Sequence, residues 1–132
     1  QHKFFRLKIP SSYISDPHIQ FMSANSLGKK DVVVAISQSG TTSALLDSVR
    51  IVRKSGVKVI GIMPGRTPLA DICDYPLTID VGDNNRLSKP NTSRIAYTAV
   101  IDVMTMGVAQ LKPEAQEHLY NIVDSQRSLR VK

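Results

Sequence analysis

The sequence predicts an α/β fold built around a parallel sheet, and two features of its first half carry that prediction. Residues 32–36, Val-Val-Val-Ala-Ile, form a continuous apolar run without polar alternation, which is typical of a strand covered on both faces. A stretch of helical period and a second apolar run follow. Residues 31–63 therefore make a strand, a helix and a strand of the length that a right-handed crossover connection needs.

The helix and the second strand of this unit have clear boundary signals. Arg and Lys residues occupy the last turn of the helix, and Gly56 stands where a left-handed residue ends a helix. Residues 57–63 then form the second buried strand. The apolar positions that recur at helical spacing are Leu45, Leu46, Val49 and Val52.

Further elements bring the predicted sheet to at least three strands. Residues 64–68 have the Pro and Gly content of a loop, residues 69–72 form a short helical turn, and residues 77–80 form a strand. Residues 82–91 carry Gly, Pro, Asn and charges, so we expect a surface loop there that is long enough to be functional.

The two ends of the chain are predicted to be mainly helical. Residues 93–111 are apolar almost all round, which indicates a helix that is buried centrally or lies in a subunit interface. Pro113 opens a last, amphipathic helix. Upstream, residues 18–27 form a helix with Ile19, Met22 and Leu27 on one face, residues 12–14 form a short strand, and the first nine residues fit either a helix end or a strand start.

The composition is that of one globular domain. The chain has 132 residues, 42% of them hydrophobic and 21% charged, which excludes disorder and collagen-like repeats. Seventeen Lys and Arg against eleven Asp and Glu give a net charge of +6, but no basic run is longer than residues 29–30. This spread suits an anionic small ligand better than a basic DNA-binding arm.

Cysteine content and hydropathy indicate the compartment. Cys73 is the single cysteine, so no intramolecular disulfide forms, which fits a reducing cytoplasm. We expect Cys73 to be a small core residue rather than a nucleophile, because no basic residue stands near it in the sequence. No apolar stretch reaches the roughly 18 residues that a membrane span needs.

Residues 37–42, Ser-Gln-Ser-Gly-Thr-Thr, join the first strand to the start of the helix, where an open α/β sheet binds its ligands. Amide groups at a helix start lack intrahelical partners and attract phosphate or carboxylate. Gly40 allows close approach, and the Ser and Thr hydroxyls add donors with no carboxylate nearby. From these residues alone, an oxyanion cradle and a plain Ser or Thr helix cap fit equally well. Walker-type and dinucleotide-binding loops are excluded because their Lys and glycines are missing.

The string Ile-Ser-Gln-Ser-Gly-Thr-Thr at 36–42 resembles the Ile-Ser-x-Ser-Gly-x-Thr phosphate-binding signature of the SIS (sugar isomerase) domain family. The likeness continues through residues 57–63, 68–70, 93–96 and 100–103, and it is nearest to RpiR-type, HexR-like transcriptional regulators. It implies a three-layer αβα sandwich of flavodoxin-like or Rossmann-like type. It also implies that residues 1–132 are the C-terminal part of a longer regulator. The first strand of the sheet and a helix-turn-helix DNA-binding domain would precede residue 1, and residues 2–7 would end a helix.

The resemblance assigns roles to particular residues. Ser37, Gln38, Ser39 and Thr42 match the positions that hold the sugar phosphate, and Gly40 and Thr41 complete the predicted cradle. Further candidates are Ser93 and Arg94 at a helix start and Lys89 in the loop before it, because Arg pairs bidentately with phosphate or carboxylate. For Arg94, an ordinary surface or interface role is the alternative.

A non-catalytic sensor is the function that the resemblance implies. A phosphorylated sugar or sugar acid, with 2-keto-3-deoxy-6-phosphogluconate the ligand implied by the HexR-like members, would change how the preceding domains bind operator DNA. The alternatives are a sugar-phosphate isomerase or lyase of the same fold, and a dimerisation module with an empty pocket.

We expect no catalytic residue, because an isomerase needs a Glu or His base and the helix dipole explains Glu114 and Glu117 without catalysis. We also expect no cofactor, no metal site and no membrane contact. The protein is predicted to be a cytoplasmic homodimer or higher homo-oligomer.

Overall fold

The computed structural model describes residues 1–80, 89–112, 114, 115, 117, 118 and 120–122. The strands form a three-stranded parallel sheet in the order β1-β2-β3, as the strand-helix-strand pattern predicts. Two compact units divide the chain, Ile14–Tyr97 and the combination of Gln1–Tyr13 with Thr98–Lys132. The elements are α1 (His2–Phe5), α2 (Pro17–Ser26), β1 (Val32–Ile36), α3 (Ser43–Lys54), β2 (Lys58–Met63), α4 (Pro68–Ile72), β3 (Tyr75–Thr78) and α5 (Lys89–Leu111).

One face of the sheet carries the core of the Ile14–Tyr97 unit. Ala35, Val59 and Met63 on the strands cluster with Ala24 of α2 and with the apolar stripe of α3 that the sequence predicted. Gly56 ends α3 with φ +77°, as predicted for a left-handed position. Packing of this face holds α3 against β1 and β2, and it thereby fixes the position of the turn between β1 and α3.

The opposite face of the sheet is partly open. Val32, Val34 and Ile36 alternate with the core residues of β1 and are 59%, 37% and 45% exposed. On β3, Tyr75 and Leu77 share this face through the strand register and are also exposed, whereas Ile62 of β2, which lies between Ile36 and Leu77, is fully buried. The prediction that β1 is covered on both faces is therefore wrong for the described residues, because an unbroken apolar run does not reveal which of its faces is packed.

Asp74 ties the beginning of β3 to the beginning of β2. Its carboxylate accepts the Val59 N–H at 3.0 Å and the Lys58 ammonium at 3.1 Å, and Arg53 lies 3.8 Å away. The Val59 hydrogen bond, followed by the Lys58 hydrogen bond, lowers the pKa of Asp74 below 3.8. This anchor starts β3 at Tyr75, two residues earlier than predicted.

The ends of the chain differ from the sequence predictions in several places. Residues 12–14 form no strand, and Ile19 and Met22, two of the three apolar residues that were predicted to share one face of α2, are exposed. Helix α1 agrees with the helix end that the family resemblance implies. Helix α5 begins at Lys89, so it includes the last residues of the predicted loop, whereas residues 82–88 lie outside the described residues.

Helix α5 is not buried all round. Ile95, Val103 and Met106 are 72%, 70% and 64% exposed, whereas Ser93, Tyr97 and Thr105 are buried. Central burial, one of the two predicted settings, is therefore wrong for the described part of α5, whereas the other setting, a subunit interface, stays a prediction. The helical residues after 113 are described in part, and Leu119, Val123 and Leu129 of the predicted last helix lie outside the described residues.

Candidate functional site

Because the three strands are parallel, their carboxyl ends meet at one edge of the sheet. Residues 37–42 follow β1, residues 64–67 follow β2, and Asp80 stands two residues after β3. Every segment that this edge presents lies within the Ile14–Tyr97 unit. The predicted cradle therefore shares the edge with two segments that the sequence analysis left without a role.

Short hydrogen bonds fold residues 37–42 into a tight loop. The Ser37 hydroxyl oxygen accepts the Gly40 N–H at 3.0 Å, and the Ser39 hydroxyl oxygen accepts the Thr41 N–H at 3.3 Å. Thr41 also donates its hydroxyl hydrogen to Ser39 at 3.0 Å. Ser37 and Gly40 are buried, whereas Gln38, Ser39, Thr41 and Thr42 are exposed. The loop thus buries Ser37 and Gly40 and exposes its other four side chains on the surface.

The start of α3 has no side-chain cap. Thr42 is the N-cap residue, but its side chain makes no capping hydrogen bond. By contrast, the Asp16 carboxylate accepts the Ile19 N–H at 3.0 Å at the start of α2, and the Thr67 hydroxyl accepts the Ala70 N–H at 3.4 Å at the start of α4. The first-turn amides of α3 therefore stand at the positive end of a twelve-residue helix without a side-chain acceptor. This arrangement suits an anion.

Tyr97 holds the beginning of the loop from α5. Its hydroxyl donates to the Ser37 carbonyl at 3.3 Å, and its side chain is 5% exposed. Burial, and to a smaller extent the negative charge of Asp80, raise the pKa of Tyr97, so the hydroxyl keeps its proton and remains a donor. The Ser37 N–H donates to the Ile62 carbonyl at 3.0 Å, which fixes the same residue to β2.

Thr67 holds the loop at its glycine. Gly40 has φ +64°, and a Cβ at this position would lie 2.4 Å from Oγ1 and 2.5 Å from Cβ of Thr67. The Leu69 N–H donates to the Gly40 carbonyl at 3.1 Å. Gly40 is therefore required both by its backbone conformation and by the approach of the loop after β2.

The structure brings some of the predicted candidates to this unit and leaves others elsewhere. Ser93 is buried one helical turn before Tyr97, and Arg94 beside it is exposed. Lys89 begins α5, but its side chain lies outside the described residues. Glu114, Glu117 and His118 belong to the other unit.

Two residues of the site were missed by the sequence analysis. Thr67 had a readable signal, because Thr-Pro is a typical start of a helix. Tyr97 had none, since it lies 60 residues from its partner in the chain.

Three further features bear on the chemistry of the chain. Cys73 packs against the core cluster, and its partial burial raises the pKa of its thiol, which disfavours the nucleophilic thiolate. Within the described residues, no group of three or more His, Cys, Asp or Glu side chains is placed to hold a metal ion. In the same part of the chain, no helix combines the length and apolarity needed to cross a membrane.

A groove of about 300 Å³ lies in the other unit, lined by Phe5, Lys8, Ile9, Pro10 and His118. Three of these five side chains are apolar, and none carries a hydroxyl. The groove therefore lacks the hydroxyl donors of the 37–42 loop.

Comparison with known proteins identifies relatives of this architecture. A model of the SIS domain family matches residues 1–107. The chain is 38% identical over 108 residues to the bifunctional protein glk of Burkholderia thailandensis, a match that covers 82% of this chain and 17% of that protein. It is 36% identical over 106 residues to the HTH-type transcriptional regulator HexR of Escherichia coli, which covers 80% of this chain and 37% of that protein. The chain thus spans well under half the length of both relatives.

The structure of the NanR protein of Vibrio vulnificus complexed with ManNAc-6P shares this fold. It superposes with a TM-score of 0.85 at 17% sequence identity, over 99% of this chain and 50% of that chain. Together with the family match, this likeness confirms the α/β sandwich with a parallel sheet that the sequence predicts.

Proposed function

Since the chain belongs to the SIS domain family, as its 36–42 string predicts, we propose that it is the effector-binding domain of a sugar-phosphate-responsive transcriptional regulator. In this proposal, residues 37–42 hold the phosphate of a phosphorylated sugar or sugar acid. The relative HexR is an HTH-type transcriptional regulator, and the NanR structure is a complex with ManNAc-6P. These two likenesses support the regulatory role and the class of ligand.

The observation that carries the proposal is the open start of α3. A helix whose cap serves only to satisfy its own amides would have a side-chain acceptor there, as α2 and α4 have. Thr42 supplies none, so a bound phosphate would accept from the first-turn amides and from the exposed hydroxyls of Ser39, Thr41 and Thr42. This favours the oxyanion cradle over the plain helix cap.

Binding without catalysis is the second part of the proposal. Isomerisation of a sugar needs a base near neutral pKa beside the reacting carbons. The sequence from Ile14 to Tyr97 contains no glutamate, and its one histidine, His18, lies at the start of α2, remote in sequence from the loops at the carboxyl edge. We therefore place the domain among sensors rather than isomerases or lyases.

The ligand and the partners complete the proposal. We take 2-keto-3-deoxy-6-phosphogluconate, the ligand that the HexR-like resemblance implies, as the effector, and its phosphate and carboxylate are compatible with the positive net charge of the chain. The exposed apolar residues of α5 support a homodimer, through which effector binding changes operator recognition by a preceding DNA-binding domain. The effector acts by binding one arrangement of that dimer more tightly than the other.

Thermal shift and calorimetry on the full-length protein test the function. We expect a phosphorylated sugar or sugar acid to raise Tm and to bind saturably without being converted. Ser39→Ala/Thr42→Ala should weaken binding, whereas the control Ser26→Ala/Ser55→Ala, at helix ends outside the 37–42 loop, should not. Sustained turnover would establish an enzyme instead. Undiminished affinity in the Ser39→Ala/Thr42→Ala variant would place the ligand elsewhere.

A further inference from the structure

Arg66, between β2 and α4, has a conformation that the cradle alone does not explain. Its φ is 53°, in the left-handed region that favours glycine, and it is exposed. Glycine would adopt this conformation without strain, so an arginine here carries a cost to folding. Strained non-glycine residues persist only where surrounding contacts hold them, and they are concentrated at active sites and ligand sites.

The neighbours of Arg66 fix its place beside the cradle. The Gly65 N–H donates to Asp80 Oδ1 at 2.9 Å, and the Thr67 hydroxyl donates to the Pro64 carbonyl at 3.1 Å. Thr67 also packs directly on Gly40. Arg66 thus directly precedes Thr67, which contacts the cradle. The hydrogen bonds of Gly65 and Thr67 hold Arg66 in this position, rather than contacts of its own side chain.

The charge of Arg66 is available to a ligand. In the part of the chain that the structure describes, Arg66 makes no hydrogen bond or ion pair. The nearest acidic group that the loop engages, the Asp80 carboxylate, is bonded to the Gly65 amide instead. A guanidinium group has a planar fork of donors that matches a carboxylate bidentately.

We propose that Arg66 binds a second anionic group of the ligand, a carboxylate, and thereby selects phosphorylated sugar acids over neutral sugar phosphates; this rests on the proposed function. The phosphate lies against residues 37–42, and the carboxylate at the other end of the ligand meets the Arg66 guanidinium. Arg66 is then a specificity-determining residue at the carboxyl edge of the sheet.

The test compares two probes that differ in one group, 6-phosphogluconate and sorbitol 6-phosphate, by calorimetry on the full-length protein. We expect Arg66→Gln to weaken 6-phosphogluconate about tenfold, as loss of a charge-assisted hydrogen bond does, and to leave sorbitol 6-phosphate within about twofold. Arg66→Lys should retain part of the preference, because it keeps the charge and loses the fork. Added salt should reduce the difference between the probes.

Arg66→Gly separates ligand binding from folding. This variant relieves the left-handed strain, so its Tm should equal or exceed that of the wild type while its affinity for 6-phosphogluconate falls as in Arg66→Gln. Unchanged 6-phosphogluconate affinity in both variants, an equal loss for both probes, or a wild type that binds only sorbitol 6-phosphate would overturn the inference.

The cradle variant Ser39→Ala/Thr42→Ala distinguishes the two proposals. If it weakens both probes while Arg66→Gln changes neither, this inference fails and the proposed function stands. If the wild type binds neither these probes nor the proposed effector, the proposed function fails and this inference fails with it. If the cradle variant binds both probes normally, the ligand lies elsewhere and this inference fails.

Discussion

Gly40→Ala probes the contact on which the shape of the cradle depends. Gly40 has φ +64° and is buried, and the loop after β2 packs against it. An added methyl group would meet three atoms of Thr67, namely Oγ1 at 2.4 Å, Cβ at 2.5 Å and Cγ2 at 2.8 Å. Since Cβ is bonded directly to the backbone and the other two atoms are bonded to Cβ, the clash cannot be relieved by moving only the end of a flexible side chain.

Two costs add up in the Gly40→Ala variant. A left-handed conformation costs an L-residue roughly 1–2 kcal/mol, and overpacking in a well-packed site costs roughly 1–3 kcal/mol. We therefore expect the free energy of unfolding to fall by about 2–5 kcal/mol. In a Thr67→Gly background the three clashing atoms are gone, so only the backbone cost remains. The coupling between the two sites should accordingly be about 1–3 kcal/mol.

Urea unfolding of the two single variants and the double variant measures this coupling, provided that the m-value is unchanged. Gly28→Ala is the matched control, because a Cβ there meets nothing within 4 Å, and we expect a change of about 0.5 kcal/mol or less. Additivity of Gly40→Ala and Thr67→Gly within about 0.5 kcal/mol would refute the steric reasoning and leave backbone strain as the whole effect.

Three other perturbations follow from the described contacts. Asp74→Asn should lower the free energy of unfolding at neutral pH and remove part of its pH dependence. Because the pKa of Asp74 is lowered in the folded state, its ionised carboxylate stabilises the fold above the unfolded-state pKa, and this stabilisation is lost as the pH falls through the folded-state pKa. Urea titrations of the variant and the wild type should therefore converge at strongly acidic pH, and a difference that persists there would contradict the prediction. Tyr97→Phe removes the hydrogen bond to the Ser37 carbonyl, so it should lower the free energy of unfolding by about 0.5–1.5 kcal/mol and weaken sugar-phosphate binding. An unchanged free energy of unfolding would show that this hydrogen bond does not contribute to stability. Val103→Glu should shift the proposed dimer to monomer in sedimentation experiments without lowering Tm, because Val103 is 70% exposed. Ser15→Glu adds the same charge at an exposed position outside α5 as a control, and a dimer that persists in Val103→Glu would place the interface elsewhere.

The fold was predictable where the pattern was local and continuous. Three local patterns each predict one type of element: the apolar run of β1, the helical stripe of α3 and the glycine at position 56. The structure has these elements where the sequence predicts them. Burial was less predictable, because an unbroken apolar run satisfies a strand packed on one face as well as on two. The same reason explains α5, whose apolar residues surround the helix while only part of its surface is covered.

The candidate site shows where sequence reasoning ends. The 37–42 loop was readable because its donors and its glycine lie within six consecutive residues. The contact between Gly40 and Thr67 was accessible in principle, because a right-handed crossover makes β1 and β2 neighbours and brings the loops that follow them together. The hydrogen bond from Tyr97 to Ser37 could not be predicted, because no local rule fixes which turn of a helix that begins 26 residues after β2 reaches the end of β1. Residues that hold the phosphate can therefore be proposed from the sequence. The residues that hold the cradle in shape, and Arg66 beside it, require the positions of the strands and helices around the cradle.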